Sequence, residues 1–254
     1  MLVAGVFGRS RECLVLHPRG ELSTDEMARL EGLIARRAAR EPLPYILGEV
    51  EWYSLALLVT PAAIVPRPET EILAEAAIAR GAALRARLGI DVGTGCGAIA
   101  LALAKHLPDL RVVASDISRE ALGLARENCR RHDSGERVFL VCCDLLQGLQ
   151  ERADLIVANL PYIGSDEFAD LEPEVRDYEP RLGLDGGRDG LGIIGRMSGE
   201  LLDHLAPGGF AALEVGAGQA AEVAKLLVRA GLCEIEVLPD LAGIERVVIG
   251  RRGR

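Results

Sequence analysis

Ile90-Asp91-Val92-Gly93-Thr94-Gly95-Cys96-Gly97-Ala98 joins a short apolar run, Leu88–Val92, to an alanine- and leucine-rich helical stretch. Glycines at such a junction let the chain turn sharply and let a ligand approach the backbone within contact distance. The rhythm that starts here repeats downstream. Apolar runs at Arg111–Ser115, Val138–Val141, Asp154–Ala158 and Phe210–Val215 alternate with helical stretches near Gly97–His106, Arg119–Arg131, Leu191–Leu205 and Ala217–Ala230. Strand, helix, strand in this order predicts βαβ units and a mostly parallel sheet. Cys233–Leu238 and Arg246–Gly250 leave no room for a crossover helix, so they should pair antiparallel at the sheet edge. The expected fold is α/β, a Rossmann-like sheet with its last strand reversed.

The N-terminal quarter reads differently. Ser23-Thr24-Asp25-Glu26 forms a capping box for a helix that should run to about Arg40 and stop before Pro42 and Pro44. Trp52 to Thr60 is expected to be extended, and the three prolines of Pro61–Pro68 require a defined loop. A second helix should cover Glu69 to about Ala82. These signals divide the chain into a small, mainly helical N-terminal domain, residues 1–65, and a larger domain, residues 66–254. No internal repeat or low-complexity tract interrupts either.

The chain has 254 residues, enough for a full core, and a net charge of −9. That charge argues against a broad basic surface for nucleic acid, though not against a small basic site on an acidic body. Cys13, Cys96, Cys129, Cys142, Cys143 and Cys233 form no CxxC pair, and His17, His106, His132 and His204 are scattered. No metal site is expected. No apolar stretch is long enough to span a membrane, and Met1 to Arg11 has no basic flank or cleavage site of a leader. The reading is a reduced, cytoplasmic protein.

Two sets of residues carry chemistry. Gly93, Gly95 and Ala98 satisfy a dinucleotide-binding fingerprint, so a nicotinamide enzyme is one reading of the glycine turn, and a ligand-free turn is another. The acids favour a different nucleotide. Asp91 stands where a carboxylate could accept from the ammonium of a methionine moiety and would repel a pyrophosphate. Asp116 ends the second strand, where an acid grips ribose hydroxyls, and Asp144 closes the third, within reach of an adenine amino group.

Asn159-Leu160-Pro161-Tyr162 follows the fourth strand, at the same carboxyl edge. A planar amide nitrogen is a poor nucleophile, so a site that methylates one must hold both N–H groups and aim the nitrogen at the methyl donor. The Asn159 side-chain oxygen and the Leu160 carbonyl are suitable acceptors, and Tyr162 a flat wall, so that orientation does the work. The competing view is a strand-ending turn, in which Asn and Pro are common.

On these motifs the chain resembles the release-factor glutamine methyltransferase family (HemK/PrmC type). Asn159-Leu160-Pro161-Tyr162 corresponds to its (N/D)PPY signature, and Asp91 to Gly97 to its glycine loop. More specific matches are Pro44-Tyr45-Ile46-Leu47-Gly48, Pro66-Arg67-Pro68-Glu69-Thr70-Glu71, and Tyr178-Glu179-Pro180 with Gly186-Gly187-Arg188-Asp189-Gly190-Leu191. Glu214-Val215-Gly216 with Gln219, and Asp240 with Arg246, also fall in family-like places, and the match runs from about Leu22 to Gly250.

The resemblance implies a class I methyltransferase fold and S-adenosyl-L-methionine as cofactor, contacted by Asp91, Val92, Gly93, Thr94, Gly95, Asp116, Asp144, Leu145 and Asn159. Asn159 and Tyr162 would be catalytic, and Asn159, Leu160, Pro161 and Tyr162 would hold the substrate glutamine. The implied substrate is the glutamine of a Gly-Gly-Gln loop in class 1 peptide chain release factors, and the implied protein a monomer that docks this substrate through its N-terminal domain. A ribosomal-protein glutamine, or an adenine or guanine amino group in nucleic acid, is the alternative substrate. Leu160 departs from the family's first proline; it frees one torsion, leaves the carbonyl in place and should loosen the loop. The N-terminal domain, with one clear helix before Pro42, is expected to be a shortened version of the family's helical bundle.

Overall fold

The computed structural model describes residues 2–7 and 23–254. Cys13, His17 and Leu22 lie outside the described residues, as do Met1 and residues 8–11.

Among the described residues, helices α1 (Leu2–Phe7) and α2 (Thr24–Ala38) come first, and α1 is an addition to the one helix expected before Pro42. The capping box is formed: the Ser23 hydroxyl accepts from the Glu26 N–H at 3.2 Å, and the Glu26 carboxylate accepts from the Ser23 N–H at 2.9 Å. Pro42 and Pro44 stop α2 but also start a short helix, α3 (Leu43–Leu47), which the sequence reading missed. Proline is tolerated in the first turn because its missing N–H would have no partner there. A hairpin follows, β1 (Glu49–Trp52) and β2 (Leu55–Leu58), beginning three residues before the expected extended stretch. The proline loop then leads to α4 (Thr70–Leu84).

The alternation appears as β3 (Leu88–Val92), α5 (Ala98–His106), β4 (Arg111–Asp116), α6 (Arg119–Arg131), β5 (Val138–Cys142) and β6 (Ala153–Ala158). After an excursion containing α7 (Pro173–Arg176) come α8 (Gly192–His204), β7 (Leu205–Glu214), α9 (Ala220–Arg229), β8 (Cys233–Pro239) and β9 (Glu245–Arg251). The sheet order is β5-β4-β3-β6-β7-β9-β8. Strands β3 to β7 run parallel, and β9 is inserted antiparallel between β7 and β8. The last strand is reversed as expected, with β8 outermost. β7 starts at Leu205, five residues before its expected start. From β3 the chain winds outward to β5 and then returns to β6 on the other side, so the crevice beyond β3 and β6 is the topological switch point.

Period-two alternation divides the core. Leu155, Val157, Phe210 and Ala212 face the layer of α4, α5 and α6, while Ile90, Val92, Ile156 and Leu213 face α8 and α9. Helix α5 is buried almost all round, which explains its run of alanines.

The hairpin was assigned by sequence to the N-terminal domain, but Trp52, Leu55, Leu57 and Ala63 bury in the same core as α4 to α6. Asn128, fully buried on α6, fastens the hairpin: its Oδ1 accepts from the Leu58 N–H at 2.7 Å, and its Nδ2 donates to the Leu58 carbonyl at 3.0 Å and the Cys96 carbonyl at 2.9 Å. One amide thus completes an edge strand and ties it to the glycine turn. Asn128→Leu would leave those three backbone groups without partners. We expect it to lower the unfolding free energy by about 2–3 kcal/mol, measured by urea denaturation; an unchanged midpoint and slope would show the hairpin to be held by its apolar residues alone.

Candidate active site

The glycine turn bends as its residues demand. Gly93, Gly95 and Gly97 have φ of 70°, 56° and 88°, in the left-handed region that other residues avoid. The Gly93 and Thr94 N–H groups donate to the Ser115 carbonyl at the end of β4, at 2.8 and 2.9 Å. Asp91 was expected to meet a ligand directly, and here the structure differs. Its side chain is 0% exposed, and one oxygen accepts from the Thr94 hydroxyl at 2.7 Å and the Ala100 N–H at 3.0 Å. The other oxygen is buried without a hydrogen bond. Burial pushes the Asp91 carboxyl up to about 7, against the pull of Thr94 and Ala100. Asp91 and Thr94 shape the turn from beneath, and neither lines the cavity above it.

That cavity, of about 260 Å³, does receive Val92, Gly93, Gly95, Asp116, Asp144, Leu145, Asn159, Leu160 and Pro161. Asp116 accepts from the Gly95 N–H at 2.9 Å and the Ser118 N–H at 2.8 Å, and burial raises its carboxyl. Asp144 does not close β5, which ends at Cys142; it sits two residues on, in a turn where Leu145 takes φ 55°. Its carboxylate pairs with Arg196 of α8 at 2.5 Å. Arg196 gave no signal in the sequence, being one arginine in an otherwise ordinary helix.

A second cavity, of about 180 Å³, lies beyond, lined by Arg67, Tyr162, Ile163 and Leu184. Ile64, Asn159 and Gly183 line both. Asn159 thus stands in the opening between the two spaces. Its Nδ2 donates to the Thr70 hydroxyl at 3.0 Å. The Leu160 side chain is 4% exposed and packs in the core over the glycine turn. Tyr162 is partly buried, and burial pushes its phenol up to about 12 and keeps it neutral. The Tyr162 carbonyl accepts from Gln219 Nε2 at 2.8 Å. Gly190 makes room for that bond: a Cβ there would stand 2.1 Å from the Tyr162 carbonyl oxygen.

The specific segments meet around this opening. Arg67 donates to the Glu179 carboxylate at 2.6 Å, with the Glu179 side chain 1% exposed. The Trp52 indole donates to the Arg67 carbonyl, the Tyr45 hydroxyl to the Ala63 carbonyl and the Tyr178 hydroxyl to the Ala39 carbonyl. Arg37 and Arg40 at the end of α2 pair with Glu174 and Glu172 of the excursion. Asp240 pairs with Arg246 at 3.1 Å across the hairpin of β8 and β9, and the Arg246 charge also bears on Tyr162 and Glu214.

Two family models match the chain, the PrmC N-terminal domain over residues 1–48 and the Methyltransferase small domain over residues 69–170. The release factor glutamine methyltransferase of Geobacter sulfurreducens is 44% identical over 99% of this chain and 88% of its own length. That of Deinococcus radiodurans is 42% identical over 99% of this chain and 89% of its own. A solved methyltransferase from Pyrococcus furiosus superposes with a TM-score of 0.61 at 19% identity, covering 91% of this chain and all of that one, a likeness of fold. With a nucleotide-sized cavity at the glycine turn and near-full-length relatives of a single name, the chain belongs to the release factor glutamine methyltransferase family.

Proposed function

We propose that the protein transfers a methyl group from S-adenosyl-L-methionine to the N5 amide nitrogen of a glutamine in class 1 peptide chain release factors. The observation that carries this reading is the pair of cavities meeting at Asn159. The larger one suits the cofactor. Gly93 and Gly95 leave its floor without Cβ atoms, and Asp116 presents a carboxylate where ribose hydroxyls need an acceptor. Val92, Asp144 and Leu145 would flank the base. Asp91 and Thr94 act through the turn that they hold.

When bound, the cofactor supplies an electrophilic sulfonium methyl. The chain's own part is to hold the glutamine. Asn159 Oδ1 and the Leu160 carbonyl accept hydrogen bonds from the two amide N–H groups, which leaves the nitrogen facing the larger cavity; one of these protons departs to solvent as the methyl group is gained. Tyr162, neutral and held by Gln219, lies along the planar amide with Pro161 closing the turn. Orientation and fixed acceptors lower the barrier, without a covalent intermediate. The second cavity, lined by Ile163, Gly183 and Leu184 beside Asn159, accords with an extended substrate loop, as glycines beside the glutamine would allow. A protein substrate also accords with a net charge of −9 better than nucleic acid does. No helix among the described residues is long and apolar enough to cross a membrane. The protein acts as a monomer in the cytoplasm, where release factors work, and residues 1–40 serve docking.

Three measurements test this reading. Asp116→Ala should weaken cofactor binding by about tenfold or more; calorimetry showing the parent affinity would remove Asp116 from the site. Asn159→Ala should bind the cofactor normally yet lose on the order of a hundredfold in rate on release factor; turnover at the parent rate would make Asn159 a turn residue only. Deleting residues 1–40 should abolish transfer to intact release factor while cofactor binding persists. Radiolabel from the cofactor appearing in ribosomal protein or RNA, and not in release factor, would reassign the substrate.

A further inference from the structure

A side-chain carboxamide is nearly symmetric in shape, and only its surroundings decide which end faces the substrate. An acceptor role for Asn159 requires the oxygen to face the opening. The reverse orientation would turn an NH₂ group against the substrate's own NH₂. Nothing in the Asn159-Leu160-Pro161-Tyr162 segment settles this.

Residues from two other elements do. Thr70, the first residue of α4, is 3% exposed and accepts from Asn159 Nδ2 at 3.0 Å. Behind it Glu214, the last residue of β7, is 2% exposed. Thr70, the Arg246 charge on β9 and Asn159 each favour its ionised form, and one of its carboxylate oxygens is buried without a hydrogen bond. An ionised carboxylate is acceptor-only, so it draws N–H and O–H groups toward itself and repels carbonyl oxygens. We propose that Thr70 and Glu214 are positioning residues that fix the Asn159 carboxamide with its nitrogen inward and its oxygen toward the substrate. The proposal rests on the reading of Asn159 as the acceptor for the substrate amide.

The arrangement depends on charge. Burial, opposed by Thr70, Arg246 and Asn159 and reinforced by Glu69, pushes the Glu214 carboxyl up to about 7. Tyr162, also near it, stays neutral through this range. Below about 7 Glu214 takes a proton, becomes a donor and no longer repels the Asn159 oxygen. Turnover should therefore fall as pH falls through that value.

The test is steady-state methylation of a release factor at saturating cofactor, with cofactor affinity measured by calorimetry. Parent turnover on release factor establishes the reading of Asn159's site; without it that reading fails, separately from this one. Thr70→Val, which keeps the shape and removes the hydroxyl, should lower kcat by about tenfold or more with KM and cofactor affinity little changed. Thr70→Ser should restore most of the rate. Parent-like kcat in Thr70→Val, or an equal loss in Thr70→Ser, overturns the proposal. Should Thr70→Val fail to fold, Glu214→Gln decides: the acid limb of kcat near pH 7 should vanish, and an unchanged limb overturns it. Measuring at saturating cofactor keeps Asp91, which titrates in the same range beneath the turn, from mimicking this limb through affinity.

Discussion

A carboxylate with no access to water sits at the head of the central strand, and the site is built above it. Asp91 holds the Thr94 hydroxyl and the Ala100 N–H with one oxygen and leaves the other without a partner. Burying an acid this way is unfavourable in isolation, as its raised carboxyl range shows. It is tolerated because it fixes both the glycine turn and the first turn of α5 to a strand that cannot move. Part of the larger cavity's lining takes its position from that turn, Asp116 through the Gly95 N–H and Leu160 through packing over Gly93, and the hairpin is tied to it through Asn128 and the Cys96 carbonyl.

Above this floor the structure is held by contacts between distant segments. Arg67 and Glu179 join the proline loop to the excursion between β6 and α8, and the excursion in turn supplies Gly183 and Leu184 to the two cavities. The ion pairs at the end of α2 are more exposed, and by themselves contribute little to stability. They tie the end of α2 to the excursion. The Glu179 carboxylate is the reverse case: enclosed, raised by burial and dependent on Arg67, it would be left unpaired by loss of that arginine.

How much of this could be read from the sequence follows from how local each signal is. The strands at the centre of the sheet are short, mainly apolar runs with polar residues near their ends, so β3, β4 and β6 were legible to within a residue. Helix α3 was hidden because Pro42 and Pro44 read as a stop, although proline also opens helices. The start of β7 was obscured by Gly208 and Gly209, which look like a turn and lie inside the strand. In the site, Asp116 and Asn159 could be placed because each ends a strand. Asp91 could be located but its environment could not, since burial is a property of the packed whole. Thr70, Glu214 and Arg196 act only through partners far along the chain, and no local pattern announces such a partner.

The Tyr162 carbonyl is gripped by Gln219, 57 residues later, and the Asn159 amide by Thr70, 89 residues earlier, with Glu214 behind both. These separations have a consequence for the chain as it is made. Strands β3 to β6 can begin to associate once the first two-thirds has left the ribosome, and the glycine turn can close over Asp91. The substrate loop cannot yet be held, because β7 and the turn carrying Gln219 do not exist. Closing such long loops is also the slow part of folding. A nascent or nicked chain would thus acquire a nucleotide pocket before a working catalytic loop. Competence arrives only with the last third of the polypeptide.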